Sequence, residues 1–164
     1  MREGGHGVAF HCNEHVRHDA MTPAQIEADL ESGLPALGQP VRYWRTPWGL
    51  VTPATEEVAR KHHLGLVAWT ADTQDWRRGA PEEMLARVRG DISPGAILLM
   101  HDGAGPGAMR DSCAGTVSLV RPLVALARSR GLEPATLDDL DHPLPDRNPD
   151  FQATQAGIER VRGV

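Results

Sequence analysis

The chain has 164 residues, 40% of them hydrophobic and 24% charged, with a net charge of −5 and a pI near 5.9. A single domain of that size buries about two thirds of the surface its unfolded chain exposes, and the acidic balance argues against nucleic acid or an anionic membrane as partner. No apolar run reaches the length of a membrane span, no apolar segment follows MREGG as in an export signal, and the two cysteines, Cys12 and Cys113, read as free thiols.

Short apolar runs alternate with helical patterns. Residues 7–11 (GVAFH) read as a first strand. Thr22-Pro23 is an N-cap followed by proline at the first helical position, and AQIEADLES continues as a helix. Residues 41–45 read as a second strand, and Thr52-Pro53 repeats the cap before the helix ATEEVARKHH. Residues 65–70 (GLVAWT) form a third strand, apolar on both faces as in a covered parallel sheet. Ala80-Pro81 opens the helix EEMLARVRGDI, and residues 95–101 (GAILLMH) are the clearest strand. Residues 118–130 read as an amphipathic helix ended by Gly131, and 132–140 as a short strand and turn. Beyond lies a proline-rich stretch and a weakly helical tail. Five of the seven aromatics fall within residues 43–76. Trp44 and Trp69 read as core. Trp48 and Trp76 read as walls of a sugar cleft, whose pyranose C–H faces stack on flat rings.

Such alternation predicts right-handed crossovers and a parallel sheet or barrel, with ligands gathered at the carboxyl ends of the strands. Titratable residues sit at four of those ends: His11 and His15 after the first strand, Arg45 at the second, Asp72 and Asp75 after the third, His101 and Asp102 at the fourth. The segment GHGVAFHCNEHVRHD alone holds four of the eight histidines.

Taken together, HCNEH (11–15), RTPWG (45–49), WTADTQDW (69–76) and ILLMHD (97–102) resemble, in order and spacing, the polysaccharide deacetylase (NodB-homology) family over roughly residues 4–140. The resemblance implies an α/β fold of the distorted (β/α) barrel type and hydrolysis of N-acetyl, or sometimes O-acetyl, groups on a carbohydrate polymer. It implies His11 and His15 as ligands of a divalent metal, most often zinc, that polarises the acetyl carbonyl. His101 would be the general acid and Asp75 the carboxylate that orients it, although Asp75 also reads as a helix N-cap. The Trp48 backbone N–H would steady the oxyanion. Trp76 and Leu99 would wall the pocket for the acetyl methyl, with plain strand core the other reading of Leu99.

In the family the arginine corresponding to Arg45 pairs with a general-base aspartate of a T-F-D-D-G motif on the first barrel strand, and that motif's second aspartate is the third metal ligand. No such motif occurs. The one adjacent aspartate pair is Asp138-Asp139, near the C-terminus. The expectation is therefore an incomplete barrel whose first strands are absent, with residues 1–141 as the catalytic domain and 142–164 as a proline-rich tail. A start assigned too late or a truncated gene would produce it. Such a chain is expected to hold metal weakly, with Asp19, Glu14 or Asp102 as substitute ligands, and to lose roughly 10²–10⁴-fold in rate without the base. Its open sheet edges invite homo-oligomerisation. Cys12, where the family usually has Ser or Thr, reads as a neutral replacement or a soft ligand. A remnant of the fold that binds sugar or metal, and a small-amide hydrolase, are the alternative functions. As it stands the sequence predicts a cytoplasmic protein, or a secreted or envelope one if an upstream segment carries the signal. His62-His63 at a helix end read as structural, His6 and His18 as surface, His142 as carrying no signal, and the glycine-rich loop at 103–107 as a cleft rim.

Overall fold

The computed structural model describes residues 2–105 and 107–139, which form an α/β structure of short parallel strand pairs and helices. They divide into two compact units, Met1–Ala68 with the described residues after Pro134, and Trp69–Pro134.

In the first unit, helix α1 (Pro23–Gly33) starts where the sequence places it. The Thr22 hydroxyl accepts the Gln25 N–H at 3.3 Å, and the Gln25 side chain accepts the Thr22 N–H at 2.8 Å. Helix α2 (Pro53–Lys61) repeats this with Thr52 and Thr55. Strand β1 (Tyr43–Trp44) pairs in parallel with β2 (Gly65–Leu66), and Phe10 adds one parallel bridge to Trp44. Ile26 and Leu30 of α1 and Val58 and Ala59 of α2 close over Phe10, Trp44 and Leu64. The first expected strand shrinks to that single bridge because only Phe10 is buried there, while Ala9 and His11 on either side are exposed. Gly33 is obligatory for packing: a Cβ there would lie 2.7 Å from the Phe10 ring.

In the second unit, β3 (Ala71–Asp72) pairs in parallel with β4 (Leu98–Leu99), and α3 (Pro81–Val88) packs with α4 (Ala114–Ser129) around Ala71, Met84, Val88, Ile92, Leu119 and Leu123. Of the expected third strand at 65–70 only its first two residues, β2, form a strand, and β3 begins just beyond it. Thr70 explains why the ladder does not simply continue through its position. Its hydroxyl accepts the Ile97 N–H at 2.9 Å and donates to the Ile97 carbonyl at 3.2 Å, so a side chain takes over part of the backbone pairing. α4 begins four residues earlier than expected, runs through Pro122, and ends as expected at Gly131, whose φ of 74° only glycine adopts freely.

Two other expectations are corrected. His18 is 2% exposed rather than a surface residue. A 3₁₀ turn, His18–Ala20, carries it inward, where Nδ1 meets the Thr55 hydroxyl at 3.0 Å and the ring packs 5.3 Å from that of Trp44. The short strand expected at 132–140 is, among the described residues, a 3₁₀ turn at Leu137–Asp139. The Asp139 carboxylate accepts both the N–H and the hydroxyl of Thr136, which curls the chain. Residues 140–164, with the proline-rich stretch and expected helical tail, lie outside the described residues.

Candidate active site

The first unit holds His11, His15, Arg45 and Trp48. The turn HCNEH leaves the Phe10 bridge and is gripped from α1. The Asp29 carboxylate, 8% exposed, accepts the N–H groups of Asn13 at 3.0 Å and Glu14 at 2.6 Å, the residues between the two histidines. His11 Nδ1 lies 2.6 Å from the Arg45 carbonyl. A carbonyl only accepts, so Nδ1 carries the proton and Nε2 keeps its lone pair. The two rings stand edge to face, centroids 5.2 Å apart, and both residues are exposed. Two imidazoles, one with its tautomer fixed by a backbone carbonyl, are a donor set that fits a zinc-like ion. Burial pushes the Cys12 thiol up to about 11, with the Asp29 and Glu14 charges adding to it, so it remains a protonated thiol. Asp19 is taken up by Arg17, at 2.8 and 3.1 Å.

Trp48 follows Pro47 at φ 54° and ψ 11°, a left-handed conformation uncommon for a bulky residue, and its ring sits 4.2 Å from that of His15. Arg45 is half-buried. Its Nε makes no hydrogen bond and its guanidinium no ion pair among the described residues, and burial lowers its pKa.

The second unit holds Asp75, Trp76, Leu99 and His101. Asp75 is fully buried and saturated. Its carboxylate accepts His101 Nδ1–H at 2.7 Å, the His101 backbone N–H at 2.8 Å, the Thr116 hydroxyl at 2.8 Å and Arg110 Nη1 at 3.3 Å. Burial alone would raise its pKa. The two His101 donors and Thr116 outweigh that and bring it down to about 2. The His101 side chain remains 40% exposed, so a buried, ionised carboxylate orients an imidazole that solvent reaches. Asp75 is not a helix cap, since the next helix starts at Pro81. The Arg110 side chain, 7% exposed, also donates to the carbonyls of His101 at 2.8 Å and Gly103 at 3.2 Å, and touches Thr116. Gln74 has a φ of 53°, and its N–H is held by Asp72 Oδ1 at 2.7 Å. Burial raises the pKa of Asp72 against the pull of Gln74, His101 and Trp76. Trp76 is half-buried. Leu99, 8% exposed, lies in β4, where its carbonyl accepts the Thr73 hydroxyl at 2.8 Å.

Three supporting residues were not singled out from sequence. Asp29 falls on the buried stripe Ile26–Asp29–Leu30–Gly33 and Thr116 on the stripe Thr116–Leu119–Leu123, and a polar residue on an apolar stripe is a readable signal. Arg110 lies in an irregular loop and offers none.

No protein-family model matches the chain. It is 31% identical over 152 residues to the chitooligosaccharide deacetylase of Bradyrhizobium sp. (strain ANU 289), a match covering 86% of this chain and 66% of that protein. It is 28% identical over 142 residues to the peptidoglycan-N-acetylglucosamine deacetylase of Listeria monocytogenes serotype 1/2a (strain 10403S), covering 84% and 28%. The chain spans less than two thirds of the length of these relatives. Among solved structures, a mutant CE4-family pseudoenzyme from Bacillus anthracis with restored activity superposes with a TM-score of 0.73 at 25% identity, covering 85% of this chain and 49% of that one. A family 4 acetyl xylan esterase from Clostridium thermocellum, solved with a cobalt ion, superposes at 0.72 and 21% identity, covering 85% and 65%, a likeness of fold.

Proposed function

The chain belongs to the polysaccharide deacetylase (NodB-homology) family, and on that premise we propose that it performs metal-dependent hydrolysis of acetyl groups on an N-acetylated or O-acetylated carbohydrate polymer, from an incomplete distorted barrel. The observation that carries this reading is the buried Asp75 carboxylate bound to the half-exposed His101 imidazole at 2.7 Å. Asp75 holds the proton on Nδ1, so the imidazolium gives up its Nε2 proton, and the receiver is the leaving amine or alcohol. A positioned general acid of this kind is worth roughly 10²–10⁴-fold. His11 and His15 would hold a divalent ion, zinc by donor type, which when bound supplies Lewis acidity to the acetyl carbonyl. The Trp48 N–H steadies the developing oxyanion, and Trp76 and Leu99 exclude water around the acetyl methyl. Arg45 would pair a general-base carboxylate to take the proton of the attacking water, and no described residue makes that pair.

A second reading, binding of sugar or metal without turnover, draws support from that same arginine, which makes no ion pair with a carboxylate among the described residues, and from the likeness to a pseudoenzyme. The test is zinc stoichiometry and acetate release from an N-acetylglucosamine hexamer and from acetylated xylan. The proposal expects one ion per chain and acetate release that falls about 100-fold or more in His101→Gln. Metal and sugar binding with no acetate released favours the second reading. No metal and no acetate overturns both.

A further inference from the structure

Apart from the groups assigned above, the second unit carries a cleft of about 380 Å³ lined by Arg77, Arg78, Arg110, Asp111, Ser112 and Gly115, among others. Three arginines and one aspartate line it, in a chain whose net charge is −5. Their commitments differ. Arg110 is neutralised by buried Asp75, yet its side chain is 7% exposed and its Nε is buried with no hydrogen-bond partner. Arg78 donates through Nε to the Met109 carbonyl at 2.8 Å and approaches Asp111 at 3.6 Å, but both of these side chains are largely exposed, so the ion pair contributes little. Arg77 makes no hydrogen bond or ion pair through its side chain among the described residues. Its guanidinium lies 4.7 Å from the centre of the Trp76 ring, and its Nε is buried without a partner.

The backbone adds charge of the same sign. α4 opens beside Ser112 and Gly115. Its N-cap, Cys113, makes no side-chain cap bond and its first turn has no acidic residue; the buried Asp75 carboxylate, bound to Thr116 in that turn at 2.8 Å, is shared with Arg110 and His101, so the positive end of the 16-residue helix is only partly compensated. Gly115, in that first turn, has no side chain to cover its own N–H. The Arg77 guanidinium, which makes no hydrogen bond or ion pair among the described residues, the exposed Arg78 and a helix end whose cap makes no bond ask for an oxyanion with several lone pairs. Arg77 stacks on Trp76, which the proposed function sets against the substrate, so an anion held here is carried on the substrate chain.

We infer that this cleft is a subsite for an anionic group, carboxylate or phosphate, borne by a sugar residue of the polymer, and that the preferred substrate is therefore an acidic glycan. The inference rests on the deacetylase reading. Its test is calorimetric titration of the full chain, in about 50 mM salt, with neutral chitotetraose, with a tetramer alternating N-acetylglucosamine and glucuronate, and with inorganic phosphate. The expected result is about tenfold tighter binding of the acidic tetramer than of the neutral one, a preference lost in Arg77→Gln, kept in Arg77→Lys and abolished by high salt. Circular dichroism shows whether the variants are folded. Equal binding of the two tetramers, or a preference unchanged in Arg77→Gln, overturns the subsite and leaves the deacetylase reading standing. Phosphate binding as tightly as the acidic tetramer through Arg77 makes it a site for free anions and overturns the polymer-borne group. If neither tetramer binds, the deacetylase reading fails and the subsite with it.

Discussion

Asp29→Ala removes both bonds that hold the turn between the two histidines. A backbone N–H donating to a carboxylate contributes roughly 1.5–3 kcal/mol. Asn13 and Glu14 are exposed residues, so water replaces part of each bond and the lower figure applies. Two bonds, at 3.0 and 2.6 Å, then give a loss of about 3 kcal/mol. Urea unfolding followed by tryptophan fluorescence reads this directly. Amide exchange reads it locally, because about 3 kcal/mol is roughly two decades of protection at the Asn13 and Glu14 amides. Asp29→Asn should recover part of the loss, since its carbonyl oxygen accepts one N–H while its own NH₂ opposes the other. With the rings no longer held in place, zinc affinity should fall about 10–100-fold. A stability loss under about 0.5 kcal/mol with unchanged protection of those two amides would show that the turn does not depend on Asp29.

Acid should remove the stability that the Asp75 cluster contributes. The folded pKa of about 2 lies below the unfolded value near 4, so the contribution is complete above pH 4 and disappears as pH falls through 2, amounting to about 2 kcal/mol. Urea midpoints against pH should show this difference between the native chain and Asp75→Asn, and parallel profiles from pH 5 to 2 would refute it. His18 acts in a higher window. Its pKa is lowered, mainly by burial, so the unfolded chain takes up a proton first and stability drops as pH falls below about 6.5. His18→Gln should flatten thermal melts between pH 6.5 and 5, and an unaltered slope would count against the burial. Gly33→Ala places a methyl 2.7 Å from the Phe10 ring and should cost about 1–3 kcal/mol, relieved in Phe10→Leu. A melting temperature unchanged by Gly33→Ala would mean that the ring yields freely.

The helices were legible because their signals are local. Thr-Pro at positions 22–23 and 52–53, Ala-Pro at 80–81 and Gly131 each fix a helix end through one or two residues, and all four ends stand where the sequence places them. Strand lengths were not legible, because a ladder depends on a partner remote in sequence. The run 65–70 has the apolar pattern of one strand, yet its pairing is set by Tyr43 and Trp44 at one end, while Thr70 binds Ile97 with its hydroxyl at the other. His18 was misread for the same reason, since its burial depends on Thr55 and Trp44. In the site, the Asp75–His101 bond and the nearness of His11 to His15 are where the motifs place them. The anchors Asp29, Arg110 and Thr116 act through three-dimensional contacts that no motif records.

Strain is distributed in a way that stability alone does not explain. Among the described residues, three non-glycine residues have positive φ: Trp48, Gln74 and His63. His63 follows the end of α2, where left-handed residues commonly terminate a helix, but Trp48 and Gln74 lie inside RTPWG and WTADTQDW. Each such residue costs of order 1–2 kcal/mol. Glycine at either position would avoid that cost, as Gly49 does one residue after Trp48, at φ 65°. At position 48 glycine would also remove the ring that packs 4.2 Å from His15. At position 74 the strain is held in place by Asp72, whose carboxylate grips the Gln74 N–H at 2.7 Å and so directs the next residue, Asp75, into its cluster. Arg45, with a buried Nε that makes no hydrogen bond, is a third cost of the same kind. All three fall on or beside residues proposed to bind metal, substrate or protons, which is the distribution expected when local conformation is set by the chemistry rather than by the fold's stability.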